Sequence, residues 1–431
     1  MGIRWMYMRA CKTLGLNVTV IKISPLRSPF ASATRATTNT DPIVRSGRLF
    51  SSSTKDFSDF SGMSAESCRK ERLIVYKIPD WLEGKLKFQP KYRVELANIP
   101  TRIHKWSLPG VPGRFSVSIK RDDDTGGAIS GNKSRKLEFL LADAIDKGCK
   151  HVTTCGGIQS NHCRATALGA VQYGLTPHLF LRADIKDPEE VGCDGNLLLN
   201  RMCGAKMYFT PRFSPYETVL RPRMEKLAEK IEASTGEKTY HIPVGGSNGV
   251  GVYGYLNAFQ EMINQGVLEQ FDDIVFACGS GGTAEGLALG NYLTGSKVKI
   301  HGILVSDSTQ YFEDHINGNL DENGLTGVRC RDILDLVEGY KGRGYGLSTP
   351  EELDFITDIG VKTGIILDPT YSGKAAYGLA QELQNSPNRF QGTRVLFLHT
   401  GGVFGLYDGR LAETLKKEGA ATNQITVLSQ L

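Results

Sequence analysis

Residues 273–286 read Asp273-Ile-Val-Phe-Ala-Cys-Gly-Ser-Gly-Gly-Thr-Ala-Glu-Gly286. An apolar, β-rich run ends in a glycine loop, and residues 284–292 then have the pattern of a helix start. Consecutive glycines let backbone N–H groups converge on an anion, and the helix N-terminus adds its dipole. The hydroxyls of Ser280 and Thr283 can donate to phosphate oxygens. Gly279, Ser280, Gly281, Gly282 and Thr283 are therefore expected to hold a phosphate. The plainer alternative is a tight turn that needs glycine for positive φ.

Outward from this loop, β-rich runs alternate with amphipathic ones. The runs at 115–120, 150–154, 177–182, 206–210, 239–244, 273–278, 297–305 and 394–399 read as strands. Segments 134–147, 216–234, 254–265 and 373–384 read as helices. This alternation predicts βαβ units and a mostly parallel sheet, an α/β fold. Cys155-Gly-Gly157, Val244-Gly-Gly246 and Thr400-Gly-Gly402 repeat the strand-into-glycine pattern. Open α/β sheets bind ligands beyond the carboxyl ends of their strands, so these clusters mark the expected site.

Two other phosphate motifs are weaker. Gly249-Val-Gly-Val-Tyr-Gly254 matches G-x-G-x-x-G, but a dinucleotide fold wants an acid at the end of the next strand. Asp272 and Asp273 precede that strand instead. Gly126 to Ser134 resembles a Walker A loop with Asn132 inserted between glycine and lysine, and no clean buried strand leads into it.

The chain has 431 residues, too long for one small module. Its 49 glycines are well above the average usage of roughly 7% and show no collagen period. The net charge of +5 hints at an anionic partner until it is located. Residues 1–50 hold eight basic groups against the single acid Asp41, and are rich in Ser and Thr. That is transit-peptide composition, and Arg48-Leu-Phe-Ser-Ser52 resembles a mitochondrial processing site. Without this segment the remaining chain carries −2. Residues 1–50 are thus expected to be a mitochondrial leader and 51–70 a polar linker, with the matrix as destination and the plastid as second choice. No apolar stretch is long enough for a membrane span, and neither nucleic acid nor membrane is expected as a partner. Nine scattered cysteines without C-x-x-C spacing predict no disulfide framework and no metal site.

Taken together, Gly131-Asn-Lys-Ser-Arg-Lys-Leu-Glu138, Cys155-Gly-Gly-Ile-Gln-Ser-Asn-His162 and Gly279-Ser-Gly-Gly-Thr283 resemble the pyridoxal-phosphate enzymes of the tryptophan-synthase-β fold (fold type II). More narrowly they resemble the 1-aminocyclopropane-1-carboxylate deaminase and D-cysteine desulfhydrase family, from about Asn98 to Arg410. The resemblance implies two open, mostly parallel sheets with helices on both faces. It also implies a larger cofactor domain (71–135 and 254–431), a smaller domain (136–253) and a homodimer.

Carried onto this chain, the resemblance makes Lys133 the Schiff-base lysine, preceded by Asn132 at the cofactor. A primary amine can form an imine with the cofactor aldehyde and later take the Cα proton. Asn161 would bond the cofactor's phenolic oxygen, and Ser160 would hold the substrate carboxylate or act on it directly. Read without the resemblance, Ser160 and Asn161 are helix N-cap residues, and both roles can hold together. His162 is expected to be a neighbour, not a catalyst. Tyr345 and Tyr371 match two active-site tyrosines, one against the cofactor ring and one able to assist acid–base work.

Ser372 stands where the ring-opening deaminases carry glutamate, and Thr400 where they carry leucine. A glutamate beside the pyridine nitrogen would make the ring a stronger electron sink. A hydroxyl supports it less, which is adequate when a thiol leaves from Cβ. The pattern implies α,β-elimination of D-cysteine to hydrogen sulfide, pyruvate and ammonia. Alternatives are 1-aminocyclopropane-1-carboxylate deamination, dehydratase or synthase chemistry on L-amino acids, and a pyridoxal-phosphate-binding protein without turnover.

Overall fold

The computed structural model describes residues 69–426, so the expected leader and residues 51–68 of the expected linker lie outside it. Its strands are β1 (Ile74–Val75), β2 (Tyr92–Arg93), β3 (Ile103–Lys105), β4 (Ser116–Lys120), β5 (His151–Gly157) and β6 (Thr176–Arg182), followed by β7 (Lys206–Thr210), β8 (Thr239–His241), β9 (Asp273–Cys278), β10 (Lys299–Leu304), β11 (Asp335–Val337) and β12 (Arg394–Leu398). Six helices position the site: α1 (Asn132–Asp146), α2 (Asn161–Gln172), α3 (Tyr253–Asn264), α4 (Gly282–Leu293), α5 (Thr309–Glu322) and α6 (Ser372–Asn385).

The larger sheet has six strands in the order β11-β10-β9-β12-β4-β3. Only the β3–β4 pairing is antiparallel. The second sheet has four parallel strands in the order β7-β6-β5-β8, and β1 and β2 form a separate antiparallel pair. Strand β9 is buried along its whole length, as a strand covered on both faces must be. Successive side chains point to opposite faces. Ile274, Phe276 and Cys278 join the core of α3 and α4, which includes Phe259 and Leu287. Val275 and Ala277 join Leu379 and Leu383 of α6 on the other face.

Many glycines serve close packing between elements. A Cβ on Gly286 would stand 2.5 Å from Cβ of Tyr255, and one on Gly290 would stand 2.6 Å from the Phe259 ring. Gly254, the last glycine of the G-x-G-x-x-G match, lies where α3 crosses α1. A Cβ there would meet the Arg135 carbonyl at 2.6 Å. The acid sought for a dinucleotide site is at the wrong end of its strand. Asp273 is buried, pairs with His301 at 2.8 Å and accepts N–H groups from Gln391 and Gly392. The Walker-like loop follows a short 3-10 turn at Asp122–Asp124, not a strand.

Candidate active site

The carboxyl ends of β5, β9 and β12 open onto one cavity of about 670 Å³. Lys133 and Asn132 line it from the start of α1, and Ser160 and Asn161 from the start of α2. Gly279, Ser280, Gly281 and Thr283 form its floor, while Tyr345, Tyr371 and Thr400 complete the wall. Two expected residues stand behind this lining, Gly282 and Ser372.

Lys133 is placed by the way α1 begins. Gly131 caps the helix at φ 107°, a conformation open to glycine, and a Cβ there would stand 3.0 Å from the Thr400 carbonyl. That carbonyl accepts the Asn132 N–H at 3.0 Å, so β12 fixes the first turn of α1. Lys133 Nζ donates to the Gly245 carbonyl at 3.3 Å. Burial disfavours the ammonium and lowers the Lys133 pKa to about 8, enlarging the fraction of reactive neutral amine.

Ser160 caps α2, its Oγ accepting the Cys163 N–H at 3.2 Å. Gly156 is required beside it, because any Cβ would run into the Ser160 hydroxyl. Asn161 Oδ1 is buried without a hydrogen-bond partner, an acceptor left for a ligand to satisfy. His162 Nε2 pairs with Thr154 Oγ1 at 2.8 Å. Burial, with Lys133 and Lys136 nearby, holds His162 well below the usual histidine range, so it is a neutral wall residue.

The glycine loop caps α4 with Gly281 at φ 85°. Around it Ser280 and Ser247 share a hydrogen bond of 2.9 Å, and Asn132 Nδ2 donates to Thr283 Oγ1 at 3.0 Å. Gly282 leaves room for a second buried lysine, since a Cβ there would stand 2.8 Å from Lys136 Nζ and from Ser247 Oγ. A helix N-terminus and the hydroxyls of Ser280 and Thr283 thus face the cavity together, a fit for a phosphate group, with Lys136 buried behind Gly282 and donating to the Gly245 carbonyl. With the Lys133 amine and the Asn161 acceptor, the cavity fits a small phosphorylated aldehyde.

Tyr345 and Tyr371 share a hydrogen bond of 2.5 Å between their hydroxyls, and burial raises both phenols above their ordinary range. The Tyr371 ring lies on the loop, where a Cβ at Gly279 would stand 2.8 Å from it. Ser372 is committed to the turn beneath. Its hydroxyl donates to Asp368 Oδ1 at 2.7 Å and accepts the Asp368 N–H at 2.9 Å.

Sequence reading missed the residues that hold these loops. Buried Lys374 donates to the carbonyls of Lys341, Gly344 and Leu347, clamping the turn that carries Tyr345. Arg410 bonds the Gly346 carbonyl and Thr370 Oγ1, bridging the two tyrosine segments. Lys136 is buried in the fold, which a lysine beside Arg135 on a helix does not announce. Among the described residues no helix is long and apolar enough to cross a membrane, and no cluster of His, Cys, Asp or Glu is arranged for a metal ion.

Comparison with known proteins gives this geometry its context. Residues 94–401 match the family described as pyridoxal-phosphate dependent enzyme. The chain is 46% identical over 339 residues to the mitochondrial bifunctional D-cysteine desulfhydrase/1-aminocyclopropane-1-carboxylate deaminase of Arabidopsis thaliana, covering 77% of this chain and 83% of that one. It is 39% identical to a putative 1-aminocyclopropane-1-carboxylate deaminase of Thermotoga maritima, covering 73% and 97%. A crystal structure of an ACC deaminase homologue superposes with a TM-score of 0.66 at 35% identity, covering 77% of this chain and 98% of that one. The chain therefore belongs to the pyridoxal-phosphate-dependent enzymes, in the branch that holds the 1-aminocyclopropane-1-carboxylate deaminases and the D-cysteine desulfhydrases.

Proposed function

We propose that this enzyme catalyses α,β-elimination of D-cysteine, releasing hydrogen sulfide, pyruvate and ammonia. The observation that carries the reading is the meeting of the Lys133 amine, the Ser160 cap and the Tyr345–Tyr371 pair in one cavity. Pyridoxal phosphate, when bound, supplies the aldehyde that captures the substrate amine and the ring that accepts the Cα electron pair. Lys133, Asn132, Asn161 and the 279–283 loop are the residues proposed to hold it. The α2 N-terminus, with Ser160, is placed to receive the substrate carboxylate.

Lys133 Nζ, neutral in a larger fraction than an ordinary lysine, takes the Cα proton. The Cβ–S bond breaks and its electron pair leaves on sulfur. The linked phenols keep a proton at the cavity wall near the departing group. The remaining three-carbon enamine takes up water and yields pyruvate and ammonia. Thr400 supplies a cavity hydroxyl where the resembling deaminases have leucine, and Ser372, its hydroxyl held by Asp368, puts no carboxylate where they have glutamate, which favours loss of a thiol over opening of a cyclopropane.

A second reading, ring opening of 1-aminocyclopropane-1-carboxylate, is favoured by the double name of the Arabidopsis relative. Incubation of purified protein with D-cysteine, L-cysteine and the cyclopropane amino acid separates the readings by following sulfide and keto acid. Sulfide with pyruvate from D-cysteine is expected, and its abolition in Lys133→Ala. Sulfide release that survives in Lys133→Ala, or 2-oxobutyrate as the main product, would overturn the proposal.

The same reading places the protein in the mitochondrial matrix as a homodimer. The location rests on the Arg- and Ser-rich composition of residues 1–50 and on the mitochondrial designation of the Arabidopsis relative, and the homodimer on the family resemblance alone.

A further inference from the structure

His315 of α5 lies across the phosphate loop. A Cβ on Gly281 would stand 2.9 Å from His315 Cδ2 and 3.6 Å from its Nε2. The helix that carries it is pinned. Thr309 bonds Glu338 through its N–H at 2.9 Å and its hydroxyl at 2.7 Å, and Phe312, Ile316 and Leu320 fix one face in the core. Tyr311, one turn before His315, lies parallel to its ring with centroids 6.2 Å apart. The imidazole is therefore held in place, and it faces the cavity.

His315 Nε2 is buried and has no hydrogen-bond partner. Buried polar atoms are nearly always paired, so an orphan fixed beside an anion cradle points to a ligand atom that completes it. The charged and titratable groups around it are Lys136 from α1, Glu217 from the 216–220 turn, and Tyr311 and Asp314 from its own helix. Burial and Lys136 hold the ring below the ordinary histidine range. A neutral imidazole still carries one N–H donor.

We propose that His315 Nε2 donates to the phosphate of pyridoxal phosphate. It closes the cradle that the loop N–H groups, Ser280 and Thr283 form on the other sides. A side chain on another element thereby reports whether the phosphate is seated. The proposal rests on the cofactor and is independent of the substrate.

The test is titration of cofactor-free full-length protein with pyridoxal 5′-phosphate and, separately, with pyridoxal, which lacks the phosphate. Visible absorbance reports binding and thermal melting reports folding. His315→Phe is expected to raise the pyridoxal-phosphate Kd about tenfold, the scale of one hydrogen bond to a charged acceptor, and to leave the pyridoxal Kd unchanged. His315→Gln keeps a donor and should stay within about threefold of the wild type. His315→Ala, which adds no bulk, carries the same expectation as the phenylalanine variant. Equal weakening of both ligands, or no weakening of either, would overturn the role at the phosphate. Failure of the wild type to bind pyridoxal phosphate would instead strike at the cofactor assignment.

Discussion

Lys133 shows how a single residue's chemistry depends on its surroundings. In water a lysine titrates near 10.4, and at pH 8 roughly one in a few hundred is neutral. Burial moves the group to about 8, so that at pH 8 about half is neutral. The sign follows from desolvation, which penalises the ammonium and spares the amine. Uptake of pyridoxal phosphate by cofactor-free protein should therefore accelerate from pH 6.5 and level off above about pH 9, as followed by stopped-flow absorbance. A rate that keeps climbing past pH 10 would mean an exposed, ordinary lysine. The glycine loop stood out in the sequence by itself, whereas Lys133, Ser160 and Asn161 stood out through the family resemblance of their short motifs, and all three line the cavity. Lys374, Arg410 and His315 did not stand out. Lys374 acts on carbonyls about thirty residues away, and a lysine within a helix reads as a solvated charge until the fold buries it.

Among the elements, each of the eight strands read from sequence has a counterpart in the structure, most plainly the apolar β5, β6, β9, β10 and β12. Burial on both faces leaves a continuous hydrophobic run that needs no context to recognise. The short strands β3 and β11 lie at the two edges of the larger sheet and carry half-buried, mixed residues, so they leave little pattern. Helix α5 was missed for a related reason. Only Phe312, Ile316, Asn319 and Leu320 are buried, and its cavity face is polar.

Crossings between helices were also hidden, since a glycine that permits contact looks like a glycine that permits a turn. Gly254 decides between the two. In an exposed helix Gly→Ala stabilises by about 1 kcal/mol. At this crossing the new methyl meets Arg135 and Lys136 backbone at 2.6 Å. Gly254→Ala should therefore destabilise by about 1–3 kcal/mol in urea unfolding. Because α1 carries Lys133, turnover should fall with it. A stabilised variant would show that α1 and α3 are not in close contact.

For the whole molecule, the cavity joins two sheets whose strands are far apart in the chain. Gly156 and Gly157 at the end of β5, with Ser160 beyond it, bring the four-stranded sheet to one wall; Ala277 and Cys278 of β9 and Thr400 beyond β12 bring the six-stranded sheet to the other. A ligand seated there contacts both, and it binds the folded chain only. At a free concentration one hundred times its Kd, such a ligand stabilises by about 2.7 kcal/mol. Cofactor-free protein should consequently melt several degrees lower than the loaded form. Raising free pyridoxal phosphate from ten to one hundred times Kd should account for about 1.3 kcal/mol of that stabilisation. The distribution of the shift in calorimetry is the sharper observation. If both sheets form the site, the whole endotherm moves upward with cofactor. If the site belonged to one sheet, a component of the melt would stay where it was, and the two-walled cavity would be excluded as the binding site.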